Sequence, residues 1–222
     1  MKTRAMKISR YTVAHGIEAE FQPGSHGRVL RNFLGITSKR EMDRIEYDAL
    51  VRTQEAYLKK ITERTKFSAS MLSRMHRDWL GRIYAWSGKY RTVELQKDGF
   101  RWPPAVRVGE NMSTFEKDVL ARNTPCRPDS LQNVTRRMAE VHAELLLIHP
   151  FRDGNGRLAR WLADIMASQA GFPPPKYEFS GKGSVRQRER YLCAVTRGYG
   201  RDYDPLAAFF VAAVTRRLEE AF

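Results

Sequence analysis

Apolar residues recur at intervals of three or four positions over most of this chain, a pattern typical of amphipathic helices. The first such segment spans residues 37–64, and its apolar positions near one predicted face are Met42, Ile45, Leu50, Tyr57 and Leu58. A second helix is predicted to begin at the capping serines 68 and 70 and to end near Ser87 and Gly88. Further helices are predicted over residues 106–121, 129–148, 156–170, 184–198 and 205–220.

The helical pattern is interrupted in YRTVELQKDGFRWPP, residues 90–104. β-Prone residues alternate there around Asp98 and Gly99, and two prolines end the segment. This predicts a β-hairpin, although the pattern alone leaves an irregular loop equally open. The segment before residue 36 is irregular and contains the loop signal QPGSHG. We therefore expect an N-terminal extension over residues 1–35 and one all-α domain with a small β-hairpin over residues 36–222.

The composition is that of a globular protein. Hydrophobic residues make up 42% of the 222 positions, and no stretch approaches the ~18–20 apolar residues of a membrane span. The first residues, MKTRAMKISRYTVAH, lack the apolar segment of a secretory signal. Cys126 and Cys193 have no metal-site spacing, which favours a reducing, cytoplasmic location. An injected effector would have the same composition.

The chain carries a large positive charge, with 39 Lys and Arg against 25 Asp and Glu, a formal +14. Such a surface attracts nucleic acids, acidic proteins and phosphate-rich small molecules. The arginines are scattered along the chain, which favours solvated helix faces. Direct nucleic-acid binding remains a less favoured alternative at this point.

Chemistry-bearing residues are concentrated in HPFRDGNGRLAR, residues 149–160, directly after the apolar run LLLI. His149 is predicted to lie at the end of a helix, because Pro150 disfavours helical backbone at the residue before it. A histidine at a loop edge is the usual general base near neutral pH.

The glycines of the same stretch predict an anion site. Gly154, Asn155 and Gly156 form a turn that leads into the next helix, whose first amides lack intrahelical partners. Arg157 and Arg160 share a face of that helix, and forked guanidinium groups suit polyphosphate oxygens. A carboxylate beside phosphates, such as that of Asp153, requires a cation between them, and Mg²⁺ fits that need. Together these residues indicate phosphorus chemistry on a nucleotide.

Competing motifs fit this stretch less well. Residues 154–159 match the dinucleotide pattern G-x-G-x-x-A, but the predicted preceding element is a helix where that pattern needs a strand. The chain has no P-loop motif, no G-x-S-x-G and no H-E-x-x-H, and the spacing of His142 and His149 does not suggest zinc. A purely structural helix junction would leave the histidine, the aspartate and both arginines as coincidences.

At these residues the chain resembles the Fic family, whose members carry a Fido domain. HPFRDGNGRLAR is similar to the signature His-x-Phe-x-[Asp/Glu]-Gly-Asn-Gly-Arg followed by a second Arg three residues on, and every position is filled. The resemblance extends over about residues 35–215. It includes residues 79–104, which resemble the stretch leading into the flap hairpin of the family, and DYDPLAAFF, which resembles its closing helix.

The resemblance implies a helical core and an activity. That activity is transfer of AMP from ATP to a Ser, Thr or Tyr hydroxyl of a protein, with release of pyrophosphate. It implies that His149 is the base, that Asp153 holds Mg²⁺ or Mn²⁺, and that Phe151 packs beneath the loop. The residues implied to contact ATP and its phosphates are Asp153, Gly154, Asn155, Gly156, Arg157, Arg160 and Tyr191. The flap residues implied to dock the target as an added strand are Gln96, Lys97, Asp98, Gly99 and Phe100.

Some features of the family leave alternatives open. Gly198 stands where some relatives carry an asparagine near the adenine. Phosphorylating members carry a lysine in place of the glycine at Gly156, so that glycine argues against phosphoryl transfer. Members that transfer UMP or phosphocholine share most of the signature, and a non-catalytic basic binding module is a further alternative.

The resemblance also implies a form of regulation. Many members are restrained by a helix carrying [Ser/Thr]-x-x-x-Glu-[Gly/Asn], whose glutamate pairs with a signature arginine. Glu41 and Glu219 each follow a threonine by four residues, but neither precedes Gly or Asn. We therefore expect any restraint to come from a separate small, antitoxin-like protein whose glutamate reaches Arg157.

Overall fold

The computed structural model describes residues 17–97 and 99–220. The helices in this part of the chain are α1 (Lys39–Leu58), α2 (Ala69–Leu80), α3 (Val108–Phe115), α4 (Ala121–Asn123), α5 (Leu131–Ile148), α6 (Asn155–Gln169), α7 (Ser184–Gly198) and α8 (Asp204–Glu219). A π-helical turn, Glu116–Leu120, joins α3 to α4. Short 3-10 turns lie at Ile17–Ala19 and Ala105–Arg107. The predicted all-α fold with one small hairpin is confirmed.

Helix α5 is the centre of the core. It packs against α3, α6, α7 and α8, so it is surrounded along most of its length. The apolar positions that recur along it are all buried, namely Val134, Met138, Val141, Leu145 and Ile148. Because the functional segment follows directly after α5, its first residue is held by the best-packed element of the domain.

Serine side chains begin three of the helices. The hydroxyls of Ser38, Ser68 and Ser130 accept hydrogen bonds from backbone amides three residues later, at the starts of α1, α2 and α5. Each bond satisfies one of the amides that an α-helix leaves without an acceptor at its first turn. The capping role predicted before α2 is confirmed for Ser68, whereas Ser70 lies inside the helix.

The predicted extent of α2 and the predicted face of α1 are wrong in detail. Helix α2 ends at Leu80, not near residue 87, because Gly81 begins a series of turns. The amides of Ile83 and Tyr84 both donate to the Leu80 carbonyl, which keeps these side chains buried without a helix. In α1, Leu58 is 73% exposed, since Tyr57 occupies the inward direction of the last turn.

The hairpin consists of β1 (Gln96–Lys97) and β2 (Phe100–Arg101), which pair antiparallel. Val93, Leu95 and Trp102 form a small buried cluster at its base, and Phe100 packs against that cluster. The predicted hairpin is therefore confirmed. Asp98, which the pattern places in its turn, lies outside the described residues.

The chain before α1 packs on the helical body. Val29 is buried in the main core, and the Phe33 amide donates to the Ile83 carbonyl. The Glu18 carbonyl accepts a hydrogen bond of 2.6 Å from Arg152 Nε. The predicted boundary between residues 35 and 36 stays a prediction, and the segment considered as a secretory signal, residues 1–15, lies outside the described residues. None of the helices described is long and apolar enough to cross a membrane.

Candidate active site

His149 lies at the C-terminal end of α5 with left-handed backbone torsions of φ 51° and ψ 60°. Its amide still donates to the Leu145 carbonyl, and its Nδ1 lies 3.1 Å from the Leu146 carbonyl oxygen. A carbonyl only accepts, so Nδ1 carries the proton and Nε2 is the basic nitrogen of the neutral ring. The Trp102 ring covers the imidazole at a centroid distance of 4.2 Å.

Burial keeps this histidine neutral. His149 is 6% exposed, and burial is the main reason that its pKa is lowered to about 4. The bond to Leu146 acts in the opposite direction, and the charge of Arg91 lowers the pKa further. At neutral pH the ring is therefore uncharged, which is the state a general base requires.

Arg91 connects His149 to the base of the hairpin. Its guanidinium is buried and donates to the carbonyls of His149 at 2.8 Å, Val93 at 2.9 Å and Pro103 at 2.6 Å. Its backbone amide donates to the Pro150 carbonyl. One side chain thus stabilises the left-handed turn at His149 and both stems of the hairpin.

The loop after His149 is closed by Asn155 and supported from below by His76. Asn155 accepts from the Phe151 amide at 2.9 Å and donates to the Phe151 carbonyl at 2.7 Å. The Phe151 ring is fully buried and stacks on His76 at 4.0 Å. His76 Nδ1 accepts from the Gly88 amide, so its Nε2 donates to the Asp153 carbonyl at 3.0 Å. Burial lowers the pKa of His76 to about 4, which keeps this arrangement neutral.

Gly154 allows the turn that starts α6. Its φ of 85° is unfavourable for other residues, and a Cβ there would lie 2.9 Å from the Trp79 ring. The first turn of α6 contains no acidic residue, and Gly154 provides no side-chain cap. The first amides of α6 have no intrahelical acceptor, and the helix dipole is positive there, so this end of the helix has the properties of the predicted anion site.

Arg157 is bound by carboxylates. Its Nη1 lies 2.5 Å from Oε2 of Glu46 on α1, and its Nη2 lies 3.7 Å from Oδ1 of Asp153. Glu46 is almost fully buried and also accepts from the Tyr84 hydroxyl at 2.5 Å. Burial alone would lower the pKa of Arg157, but the charges of Asp153 and Glu46 outweigh it and raise the pKa. The guanidinium also lies 4.6 Å from the centre of the Trp79 ring.

Arg160 has a different environment. Its guanidinium lies 5.5 Å from the Phe179 ring centre and 6.0 Å from that of Tyr177, and its charge opposes the rise that burial causes in the pKa of Tyr191. A Cβ placed on Gly156 would lie 3.5 Å from its Nη1, so the charge sits against the first turn of α6. Within residues 17–97 and 99–220, no carboxylate forms an ion pair with Arg160. Its charge therefore adds to the anion site.

The residues that form this site also match a known sequence family. The model of the Fic/DOC family matches residues 66–167, which include α2, the hairpin, α5, the loop and most of α6. The chain contains a Fic/DOC-family domain over these residues.

Curated relatives of this Fic protein are named protein adenylyltransferases. VbhT of Bartonella schoenbuchensis is 28% identical over 144 residues, 65% of this chain and 30% of VbhT. The probable protein adenylyltransferase y4lH of Sinorhizobium fredii is 28% identical over 191 residues, 84% of this chain and 90% of the relative. The Fic protein of Nematostella vectensis is 30% identical over 149 residues, 67% of this chain. The match spans 32% of that relative, so the matched residues cover about a third of the length of two of the three relatives.

Solved structures share the fold. BepC of Bartonella tribocorum, with bound AMPPNP, has a TM-score of 0.70 at 21% identity and covers 90% of this chain and 98% of BepC. An N-terminal Fic domain of Bartonella quintana, with bound ADP, has a TM-score of 0.69 at 20% identity and covers 90% of this chain and 95% of that one. At these identities the likeness shows the fold.

The structure brings most of the predicted Fic site residues together. His149, Asp153 and the turn of residues 154–156 form one continuous loop, with Arg157 and Arg160 on the helix that follows. Tyr191 is buried behind Arg160, with its hydroxyl 2.7 Å from His142 Nε2. The predicted contact of Tyr191 with adenine stays a prediction.

The residues predicted for the flap lie in one hairpin next to His149. Gln96 and Lys97 form β1, Gly99 lies in the turn and Phe100 begins β2, while Asp98 is outside the described residues. The Phe100 ring contacts Trp102, which covers His149, and Tyr199 at the end of α7. The hairpin is thus held against the site by aromatic contacts.

Sequence reasoning missed the side chains that support the loop from neighbouring elements. Glu46 had a signal, since it lies four residues from both Met42 and Leu50 and is therefore an acid on the apolar face of α1. His76 likewise lies among the apolar positions of α2. Arg91 had no local signal, because the residue of the site that it contacts, His149, is 58 positions away in the sequence.

The two glutamates considered for self-inhibition are elsewhere on the surface. Glu41 is exposed at the start of α1 and Glu219 is exposed at the end of α8. The glutamate that pairs with Arg157 is Glu46 of the same chain.

Proposed function

We propose that this chain transfers AMP from ATP to a Ser, Thr or Tyr hydroxyl of a target protein and releases pyrophosphate. The observation that carries the proposal is the pairing of a neutral base, His149, with the anion site at the first turn of α6. The names of the relatives and the AMPPNP bound to the similar fold of BepC support the same reaction.

His149 would act as the general base. Its Nδ1 proton is held by the Leu146 carbonyl, so Nε2 is the nitrogen that takes the proton of the target hydroxyl. The hydroxyl oxygen then forms a bond to the α-phosphorus of ATP, and the bond from that phosphorus to the bridging oxygen breaks. Pyrophosphate leaves with the electron pair of the broken bond.

The first turn of α6 and the two arginines would bind the phosphates. The amides of Asn155 and Gly156 suit phosphate oxygens, and Gly154 shapes the turn that presents them. No carboxylate in the described chain pairs with Arg160, so its donors suit the same oxygens. We assign Arg160 the larger contribution at the β- and γ-phosphates. Arg157 contributes less, because Glu46 and Asp153 already bind it.

Asp153 would hold a divalent cation together with the phosphates. Its side chain is 31% exposed, and its Oδ1 accepts from the Gly154 amide at 2.5 Å. A single carboxylate suits Mg²⁺, which keeps several waters and uses phosphate oxygens as further ligands. When bound, the ion would neutralise charge on the phosphates. The residue that holds it in this proposal is Asp153.

The hairpin would dock the target protein. The residues in this role are Gln96, Lys97, Asp98, Gly99 and Phe100. In the described part of the chain no third strand pairs with β1 or β2, so the backbone groups on the outer edges of the hairpin remain for an added strand. Such docking would bring a target hydroxyl over His149. It would recognise the backbone of the target more than its side chains.

A separate inhibitory protein remains part of the proposal. A glutamate from such an antitoxin-like partner would have to displace Glu46 from Arg157 or bind Arg160 instead. The second route is favoured, because breaking the buried pair of Arg157 and Glu46 is costly.

The test is transfer of label from ATP to protein. With Mg²⁺ and lysate, label from α-³²P-ATP should appear on protein, and label from γ-³²P-ATP should not. His149→Ala should lower the rate by about 10²–10⁴-fold while ATP binding persists. Transfer of the γ-label would favour phosphorylation and contradict the proposal. Full activity in EDTA would contradict the role of Asp153. Transfer of UMP from UTP in preference to AMP from ATP would show that the proposed donor is wrong.

A further inference from the structure

Arg160 is enclosed by aromatic side chains that come from outside the signature. Tyr177 and Phe179 lie in the segment between α6 and α7, and Tyr191 lies on α7. Their ring and hydroxyl contacts are the ones that hold the guanidinium in place. An arginine in a carboxylate pair is held by the charge it neutralises. Aromatic faces hold it while its N–H donors remain directed toward another ligand.

Tyr177 is itself fixed by a half-buried carboxylate. Its hydroxyl donates to Asp164 Oδ1 at 2.9 Å and lies 3.3 Å from the Arg160 carbonyl oxygen. Asp164 follows Arg160 by one turn on α6, so Tyr177 bridges two consecutive turns of the helix that carries both signature arginines. The hydroxyl stays a donor, because burial and the nearby Asp164 raise the pKa of Tyr177.

The segment around Tyr177 is tied to α8 as well. The Lys176 amide donates to the Ala213 carbonyl at 2.9 Å, and Arg216 Nη2 donates to the Lys176 carbonyl at 3.1 Å. This segment has no helix or strand of its own over residues 172–179, so these bonds and the one to Asp164 determine where the Tyr177 ring lies.

A second support reaches Arg160 from the opposite side. The Tyr191 hydroxyl lies within the influence of the Arg160 charge and donates to Nε2 of His142 on α5 at 2.7 Å. Burial, and after it the charge of Arg160, lowers the pKa of His142 to about 3, so this histidine is neutral and its Nε2 can accept. Arg160 thus lies near two tyrosines, one anchored by the half-buried Asp164 and the other by the buried His142.

We propose that Tyr177, anchored by Asp164, is a positioning residue that orients Arg160 toward the terminal phosphates of ATP. This inference rests on the proposed function, in which Arg160 binds those phosphates. Tyr177 does not contact the reacting atoms in this proposal, because it acts through the guanidinium above its ring.

The test compares binding of ATP and AMP by calorimetry in Tyr177→Phe, Arg160→Ala and the double variant. Tyr177→Phe keeps the ring and removes only the hydroxyl, so we expect about fivefold weaker ATP binding and less than about a twofold change for AMP. In the Arg160→Ala background the same change should have no further effect, since the two residues act as one unit. Equal losses for ATP and AMP, or additive losses in the double variant, would overturn the inference.

Variants of Asp164 separate positioning from stability. Asp164→Asn keeps an oxygen that accepts from Tyr177, so ATP binding should stay within about twofold of the unsubstituted protein, whereas Asp164→Ala should match Tyr177→Phe. Tyr203→Phe is the matched control, because it removes a tyrosine–carboxylate bond to Glu144 away from Arg160. Loss of ATP binding in the control, or equal binding in both Asp164 variants, would contradict the inference.

The outcomes also separate this inference from the proposed function. Binding of ATP that depends on Arg160 but not on Tyr177 would overturn the positioning role alone. Binding of ATP that is unchanged in Arg160→Ala would overturn the phosphate role of Arg160 and the inference with it. Absence of AMP transfer despite normal binding would overturn the proposed reaction, and the binding comparison would still decide the role of Tyr177.

Discussion

The two signature arginines lie three residues apart on α6, yet the protein treats them differently. Arg157 is paired with Glu46 and Asp153, and its side chain is 27% exposed. Arg160 lies between Tyr177, Phe179 and Tyr191, and no carboxylate within the described residues pairs with it. Two arginines on one helix face therefore have different environments, one formed by carboxylates and the other by aromatic rings.

The difference predicts that Arg157 contributes mainly to stability and Arg160 mainly to anion binding. The Arg157–Glu46 pair connects α6 to α1 through groups that are largely removed from water, so its loss should affect folding. The aromatic surroundings of Arg160 fix its position without neutralising it, so its loss should affect anion binding. The following measurements test whether the two arginines differ in this way.

The largest expected effect is on stability, in Glu46→Ala. This change leaves Arg157 without its closest carboxylate and should lower the free energy of unfolding by about 3–5 kcal/mol, measured by urea denaturation. Glu41→Ala and Glu219→Ala, at exposed positions, should change it by less than about 0.5 kcal/mol. Equal stability of Glu46→Ala and the controls would remove the structural role from Arg157. A rise in transfer rate would show instead that Glu46 restrains the site.

The next effect is on nucleotide binding, in Arg160→Ala. Loss of this guanidinium should weaken ATP binding by about 10²-fold, which corresponds to about 2.7 kcal/mol, with a smaller change in the melting temperature than Glu46→Ala. Arg186→Ala on the exposed face of α7 removes the same charge and should change ATP binding by less than about threefold, or about 0.6 kcal/mol. If Arg160→Ala lowers the free energy of unfolding by more than it lowers the free energy of ATP binding, the two arginines do not differ in this way.

A smaller effect is expected for Tyr84→Phe. The Tyr84 hydroxyl donates to the same Glu46 carboxylate that binds Arg157, so its removal should cost about 1.5 kcal/mol of unfolding free energy. Tyr57→Phe, which removes a bond to the exposed Asp78, should cost less. Should both variants prove equally stable, burial of the Glu46 network would not be the source of its strength.

The smallest effect is expected from pH. Neither arginine changes its charge between pH 6 and 8. Burial raises the pKa of Asp164 to about 7, but its carboxyl keeps an acceptor oxygen for Tyr177 in either state, so His149 is the group expected to alter the rate. Because burial lowers its pKa to about 4, the ring stays ~99% neutral at pH 6, and the transfer rate should change less than about twofold from pH 8 to pH 6. A base with the ordinary pKa of ~6.5 would lose about fourfold over the same interval. That larger loss would show that His149 is exposed to solvent when it acts.

Local pattern predicted the elements that depend on nearby residues. The apolar spacing and the serine caps predicted the helices, and the Asp98–Gly99 pair predicted the hairpin, because turn chemistry and helix periodicity are properties of short segments. The end of α2 was missed because buried turns continue its apolar spacing past Gly81 without a helix. The spacing of apolar residues indicates which residues are buried, and buried residues need not lie in a helix.

The sequence alone determined the family, the helical core and which residues crowd into the loop of residues 149–160. Only the tertiary structure decided what each of them faces. Glu46 is 111 residues from Arg157, and Arg91 is 58 residues from His149. Packing of α2 against α1 and α6 brings the first pair together, and the segment before the hairpin brings Arg91 to the end of α5. The burial there keeps His149 neutral. Contacts of such separation leave no trace in local spacing, because they depend on how the helices pack and not on any single helix.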